Sequence, residues 1–182
     1  MLAAGGGSRF AAGGPGLHKL MTEWRGRPLV SWAIEAAVSS GIGPVWVVEG
    51  AVDLSAVVPE GVSLLRNTRW EEGQATSLQV AVGAARSAGL DAIVVGLADQ
   101  PSVPPSAWVA VASSPASIAV ATYDGRRRNP VRLSAAIWDL LPTAGDEGAR
   151  SVARHRPELV EEVPCEGDPT DIDTREDLAR WS

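Results

Sequence analysis

Cysteine and lysine are nearly missing from this chain. Cys165 is the only cysteine, and Lys19 is the only lysine beside fifteen arginines. A lone cysteine excludes an intrachain disulfide and fits a reducing compartment. Together with two separated histidines, His18 and His155, it supplies too few ligands for a structural zinc site. Long apolar runs are missing too. AIVVGLA, residues 92–98, is among the longest, well short of the ~20 residues of a membrane span. No basic start followed by an apolar stretch and a small-residue cleavage site is present, so no secretory signal is read and the expected location is the cytoplasm. Positive charge is scarce, with a net charge of −6, which argues against a nucleic-acid partner. There is no internal repeat, linker or composition break, so residues 1–182 are expected to form a single domain.

What is present suits a packed α/β protein. With 45% apolar and 21% charged residues, the chain can bury a core. Segments 44–49, 62–67, 92–99, 117–124 and 159–164 are short, rich in β-branched residues and bounded by Gly, Pro or Asp, as strands are. Segments 28–41 and 76–89 have helical spacing and stop at Gly41 and Gly89. SAWVAVA, SAAIWDLL and GARSVARH predict further helices, and Asp173 or Thr174 can cap a last one. This alternation predicts a Rossmann-like three-layer α/β/α sandwich with a mostly parallel sheet. Only MLAA precedes the first glycines, so either the opening strand is very short or the recorded start lies several residues downstream of the real one.

The opening run LAAGGGSRFAAGGPGLHKL fits neither common nucleotide fingerprint. Lys19 lacks the glycine before it and the Ser or Thr after it that a Walker loop needs, and Gly5-x-Gly7 puts Phe10 where the dinucleotide motif has its third glycine. A nicotinamide-dependent oxidoreductase is therefore a remote reading. Physically, Gly5, Gly6 and Gly7 let the backbone turn so that N–H groups point at one anion, with Arg9 and Lys19 as nearby charge. Where arginine serves everywhere else, one lysine suggests a compact point charge. A surface loop with an incidental lysine is the competing reading. Charge is also uneven: residues 1–27 carry +3, and residues 139–182 carry twelve acids against five arginines. That division suits a metal–triphosphate ligand.

A set of motifs then follows in order. Leu2-Ala3-Ala4-Gly5-x-x-Ser8-Arg9-Phe10 precedes Lys19 and Gly26-x-Pro28-Leu29. Asn67-x-x-Trp70-x-x-Gly73-x-x-x-Ser77-Leu78, Leu97-Ala98-Asp99-Gln100-Pro101, Asn129-Pro130-Val131, GDEGAR (145–150) and Asp171-Ile172-Asp173-Thr174 complete it. In this order they resemble the MobA-like nucleotidyltransferases of molybdenum cofactor biosynthesis. The opening loop is longer than that family's, Ala11 replaces its glycine, and Asn129 stands where cytidylyltransferase-like members often carry histidine.

The resemblance implies an Mg²⁺-dependent nucleotidyltransferase that moves a nucleoside monophosphate from an NTP to a phosphorylated acceptor and releases pyrophosphate. A molybdopterin-type cofactor is the implied acceptor, and a molybdenum enzyme is a candidate client. Ala4, in LAAG rather than LAGG, tilts the donor towards CTP over GTP. It assigns Lys19, Arg9 and Asp99 to catalysis. Leu2, Ala3, Ala4, Gly5, Gly6, Gly7, Lys19, Asn67, Gly73 and Ser77 are assigned to the nucleotide, and Asp99, Asp171 and Asp173 to the metal. Several competing readings stand beside these. Asp99 can start the turn before Pro101, Asp173 can be a helix cap, and Thr76 or Ser77, which opens a helix whose free N–H groups could meet the nucleotide, can instead be an ordinary N-cap. Asp146 and Arg150 are spaced to pair on a helix, and Arg126-Arg127-Arg128 reads as a solvated hairpin edge or a greeting for an anionic acceptor. Other phosphate acceptors, such as a sugar phosphate, methylerythritol phosphate or phospholactate, and a non-catalytic nucleotide-binding accessory protein remain as alternatives.

Overall fold

The computed structural model describes residues 1–7, 10 and 18–180. Strand β1 (Leu2–Ala3) pairs in parallel with β4 (Trp46–Glu49), and β4 with β5 (Ser63–Arg66). On its other side β1 is tied to the chain just beyond β6 (Ala92–Val95). Leu2 N donates to Gly96 O at 2.9 Å and Ala98 N donates to Leu2 O at 3.0 Å. Next to β6 lie β8 (Arg126–Ser134), β7 (Ile118–Tyr123) and β9 (Val160–Pro164), in that order. The sheet thus runs 5-4-1-6-8-7-9, with β8 antiparallel to both of its neighbours. A small hairpin, β2 (Glu23–Trp24) with β3 (Arg27–Pro28), sits apart. The opening strand is only two residues long, yet its main chain bridges the two halves of the sheet.

Consecutive strand residues bury on opposite faces, which makes the architecture three layers. Ala3, Val47, Ala119 and Ala121 pack on one side with Val30 and Ile34 of α1 (Leu29–Ser39) and Trp108 and Val111 of α3 (Pro105–Ala112). Leu2, Val48, Ile118 and Val120 pack on the other with Leu78 and Val82 of α2 (Gln74–Ser87) and Val152 of α4 (Ala149–His155). Strands buried on both faces read as near-continuous apolar runs, as these do. Helices α1 and α2 end where expected, with Gly41 and Gly89 at φ +64° and +67°. Among the described residues no helix is long and apolar enough to cross a membrane.

Three expectations change. SAAIWDLL forms a 3-10 segment, Ala135–Leu140, in place of an α-helix. The strand expected to reach Asp99 ends at Val95. The third change is the nine-residue β8, where only an arginine-rich edge was read. Asp124 and Gly125, both at positive φ, make the two-residue turn that reverses the chain into it. The register jumps between Val120 and Ala121, which leaves Asn129 and Pro130 outside the ladder where a proline cannot donate.

Candidate active site

The site lies beyond the carboxyl ends of β1 and β6, the usual place for ligands in an open α/β sheet. A cavity of about 340 Å³ is lined by the whole run from Leu2 to Gly7, by Lys19, and by Gly73, Ser77 and Asp99. Trp70, Gln74 and Asp146 complete its wall. Of the three glycines, only Gly7 has a positive φ, +61°, so the expected turn is confined to it. Space is tight at Gly6, where a Cβ would lie 3.0 Å from the Trp70 ring. His18 closes the loop. Its Nε2 lies 2.9 Å from Gly5 O, and its Nδ1 accepts from Leu20 N. The acceptor role of Nδ1 puts the proton of a neutral ring on Nε2, which donates to the carbonyl. Burial lowers the His18 pKa, and the Lys19 charge pushes the same way against the Gly5 hydrogen bond. Arg9 lies outside the described residues.

Lys19 opens a 3-10 turn, Lys19–Met21, and is 9% exposed. Its Nζ donates to Asp99 Oδ2 at 2.8 Å and to Asp173 Oδ1 at 2.9 Å. Burial alone would lower its pKa, but the two carboxylates reverse that and hold it above the ordinary lysine value. Two aspartates far apart in sequence thus converge on one cationic point. That donor set fits a hard divalent cation, which takes one or two protein carboxylates together with phosphate oxygens. Asp171 turns to Gln100, accepting from Nε2 at 2.9 Å. Burial and the Asp99 and Asp173 charges raise its pKa, partly offset by that hydrogen bond. Among the described residues no group of three or more His, Cys, Asp or Glu side chains is close enough to hold a metal.

The C-terminal segment is pinned here by Ile172 N, which donates to Asp99 O at 2.9 Å. Its helix, α5 (Arg175–Arg180), is capped by Thr174 and Asp177. Asp177 Oδ2 accepts from Thr174 N at 2.9 Å, and Asp177 N donates to Thr174 Oγ1 at 3.1 Å. This reciprocal box leaves the Asp173 carboxylate available to Lys19.

Two expectations about the nucleotide wall are corrected. Asn67 does not line the cavity: it is 2% exposed, and its Nδ2 donates to Thr76 Oγ1 and Ser77 Oγ, both at 2.9 Å. It braces the end of β5 against α2. The first N–H groups of α2 are also already used, since Gln74 N donates to Asp146 Oδ1 at 3.3 Å and Ala75 N to Gly145 O at 2.9 Å. Asp146 precedes α4 and caps α2, so it is not a helical partner of Arg150. Gly73, at φ +103°, permits this joint: a Cβ would fall 2.4 Å from the carbonyl carbon of Gly145.

A second cavity of about 450 Å³ adjoins the first, sharing Leu2 and Gln74. Its floor is apolar, built from Leu78, Val95, Ile118, Val120, Val131 and Leu133, and Arg127, Arg128, Arg150 and Arg154 stand around it. Arg127 and Arg154 are tied to Glu162 and Glu147 at 2.8 and 2.6 Å.

A glycine-rich loop at the strand ends facing paired carboxylates defines a nucleotide-handling α/β enzyme. The chain belongs to the MobA-like NTP transferase domain family, whose model matches residues 1–161, and is a nucleotidyltransferase. It is 32% identical over 197 residues to nicotine blue oxidoreductase of Paenarthrobacter nicotinovorans, covering 99% of this chain and 93% of that one. It is 32% identical over 192 residues to the purine catabolism protein PucB of Bacillus subtilis (strain 168), covering 97% and 91%. Among solved structures, Rv0371c of Mycobacterium tuberculosis H37Rv matches with a TM-score of 0.82 at 25% identity, covering 99% of this chain and 93% of that one. A manganese complex of Rv0371c is also known, with a TM-score of 0.78 at 22% identity over 99% and 94% of the two chains.

Proposed function

We propose that this chain transfers a nucleoside monophosphate, CMP by preference, from an Mg²⁺-bound triphosphate to a phosphorylated acceptor of molybdopterin type. The observation that carries the reading is the convergence of Asp99 and Asp173 on one ammonium at the mouth of the glycine-loop cavity. The apolar, arginine-rimmed cavity opens beside it. The triphosphate would lie along the main chain of Gly5 to Gly7, with Lys19 supplying charge to its phosphates. Asp99 and Asp173 would hold the divalent cation, with Asp171 next to them. That cation supplies neutralisation of phosphate charge and alignment of the leaving group. The manganese complex of Rv0371c supports a divalent cation in this fold, while the choice of magnesium rests on the resemblance in sequence.

In the transfer, an oxygen of the acceptor's phosphate attacks the α-phosphorus. The bond from that phosphorus to the oxygen bridging the β-phosphate breaks, and pyrophosphate leaves. No covalent protein intermediate is required, so the chain's contribution is positioning and fixed charge. Arg128 and Arg150 would receive the acceptor's anionic end while its body rests on the apolar floor. Pyrophosphate release from each of CTP, GTP, ATP and UTP with a phosphorylated pterin-type acceptor tests the reading. Release from CTP above the others is expected. No release from any triphosphate, together with oxidation or reduction of nicotine blue, would replace the reading with the activity that the name nicotine blue oxidoreductase describes.

A further inference from the structure

Lys19 stands at the point where a cation held by both aspartates would have to stand. Its Nζ lies 2.8 Å from Asp99 Oδ2 and 2.9 Å from Asp173 Oδ1. Divalent cations of the Mg²⁺ type bind carboxylate oxygens at about 2.0–2.1 Å. Such an ion bridging these two oxygens falls within a few ångströms of the ammonium, where like charges in a poorly solvated site repel strongly. The ammonium and a divalent cation therefore cannot share this position. The backbone around Lys19 is fixed, because Met21 N donates to His18 O at 2.8 Å and Leu20 N donates to His18 Nδ1 at 3.3 Å. Only the side chain can move, on a stem with four rotatable carbons. The open space it borders is the glycine-loop cavity.

We propose that Lys19 is the site's resident cation, holding Asp99 and Asp173 together until a divalent cation displaces its ammonium onto the phosphates of the incoming nucleotide. This rests on the reading that Asp99 and Asp173 are the metal ligands. Its consequence is an order of events. A cation alone must expel the ammonium with nothing to receive it, whereas a cation arriving with a triphosphate exchanges one ion pair for another. Metal and nucleotide then bind with positive coupling, each raising the affinity for the other by the same factor. The pairing also places one ammonium between two acidic side chains, 23% and 30% exposed.

The test is a Mn²⁺ titration read by electron paramagnetic resonance, without nucleotide, on the wild type, Lys19→Met, Lys19→Arg and Arg86→Met. Lys19→Met is expected to bind Mn²⁺ about tenfold more tightly than the wild type. Lys19→Arg, which keeps the charge, stays weak. Arg86→Met removes a remote surface charge paired with Asp139 and is expected to leave the affinity unchanged. Thermal melting of each variant checks folding. A second readout needs no variant: because Lys19 is the only lysine, acylation of this side chain can be followed by mass spectrometry of one peptide. Mn²⁺ alone should speed its labelling several-fold, and Mn²⁺ with CTP should slow it again. Equal Mn²⁺ affinity in wild type and Lys19→Met, with labelling indifferent to Mn²⁺, overturns the displacement and leaves the metal assignment standing. No Mn²⁺ binding by any variant, with or without CTP, overturns both.

Discussion

The two adjoining cavities are built by opposite means. The glycine-loop cavity takes much of its lining from two short contiguous runs, Leu2 to Gly7 and Leu97 to Asp99. One lysine held by two carboxylates stands at its mouth. The second cavity is made of side chains from β6, β7, β8, α2 and α4, with an apolar floor and arginines at its edge. A main-chain cradle accepts the part that all nucleotides share, their phosphates. A side-chain pocket can be rebuilt by substitution without disturbing the cradle. Between them stands a single joint, where Gly73, Gln74 and Ala75 meet Gly145 and Asp146.

The strongest way to break the comparison is at the carboxylates. Asp99→Asn keeps the shape and removes one charge. Nucleotidyl transfer, measured as pyrophosphate release, is expected to fall about 10²-fold or more, with the second cavity untouched. Unchanged release would remove Asp99 from the mechanism. The joint comes next. Gly73→Ala adds a Cβ against Gly145 at a strained backbone conformation, and denaturant unfolding should show a loss of about 2 kcal/mol or more. Stability within a few tenths of the parent would mean that the loop at residue 145 gives way freely.

Replacing Arg128 and Arg150 together with alanine probes the second cavity alone. Calorimetry should show unchanged CTP binding, while acceptor-dependent pyrophosphate release falls about tenfold. Weaker CTP binding in this variant would erase the distinction between the cavities. The smallest effect concerns His18, whose neutral ring accepts from Leu20 N through Nδ1. Its folded pKa lies below the ordinary 6.5, so the unfolded chain takes up the proton first as pH falls. The His18 contribution to stability is therefore complete above pH 6.5 and is lost as pH drops through the lower, folded value. His18→Gln, which keeps both hydrogen-bonding functions, should flatten that slope in pH-dependent melting.

Legibility in the sequence followed the same division. The three-layer arrangement could be read because strands buried on both faces leave unbroken apolar runs such as AIVV, and because Gly41 and Gly89 stop their helices. Lys19 could be singled out because it is the only lysine, and Asp99 because it lies in the contiguous motif Leu97-Ala98-Asp99-Gln100-Pro101. What Lys19 binds could not be read. Its partner Asp173 is 154 positions away, and the sequence left open whether Asp171, Asp173 or a helix cap was involved. The Thr174–Asp177 box settles the cap, and it follows the pattern of Thr or Ser three residues before an acid. Strand β8 was missed because Asn129-Pro130 and three arginines interrupt its apolar pattern, although Asp124-Gly125 is a strong hairpin signal. The bracing contacts of Asn67 were not legible, because motif membership does not separate a residue that faces a ligand from one that supports the wall behind it.

The most direct test of the account is calorimetric titration of the protein with CTP, GTP, ATP and UTP, each with Mg²⁺ and again with EDTA. The account predicts saturable binding that requires the metal, tightest for CTP and lost in Asp99→Asn. Absence of binding by every triphosphate, or binding indifferent to both EDTA and Asp99→Asn, would contradict it.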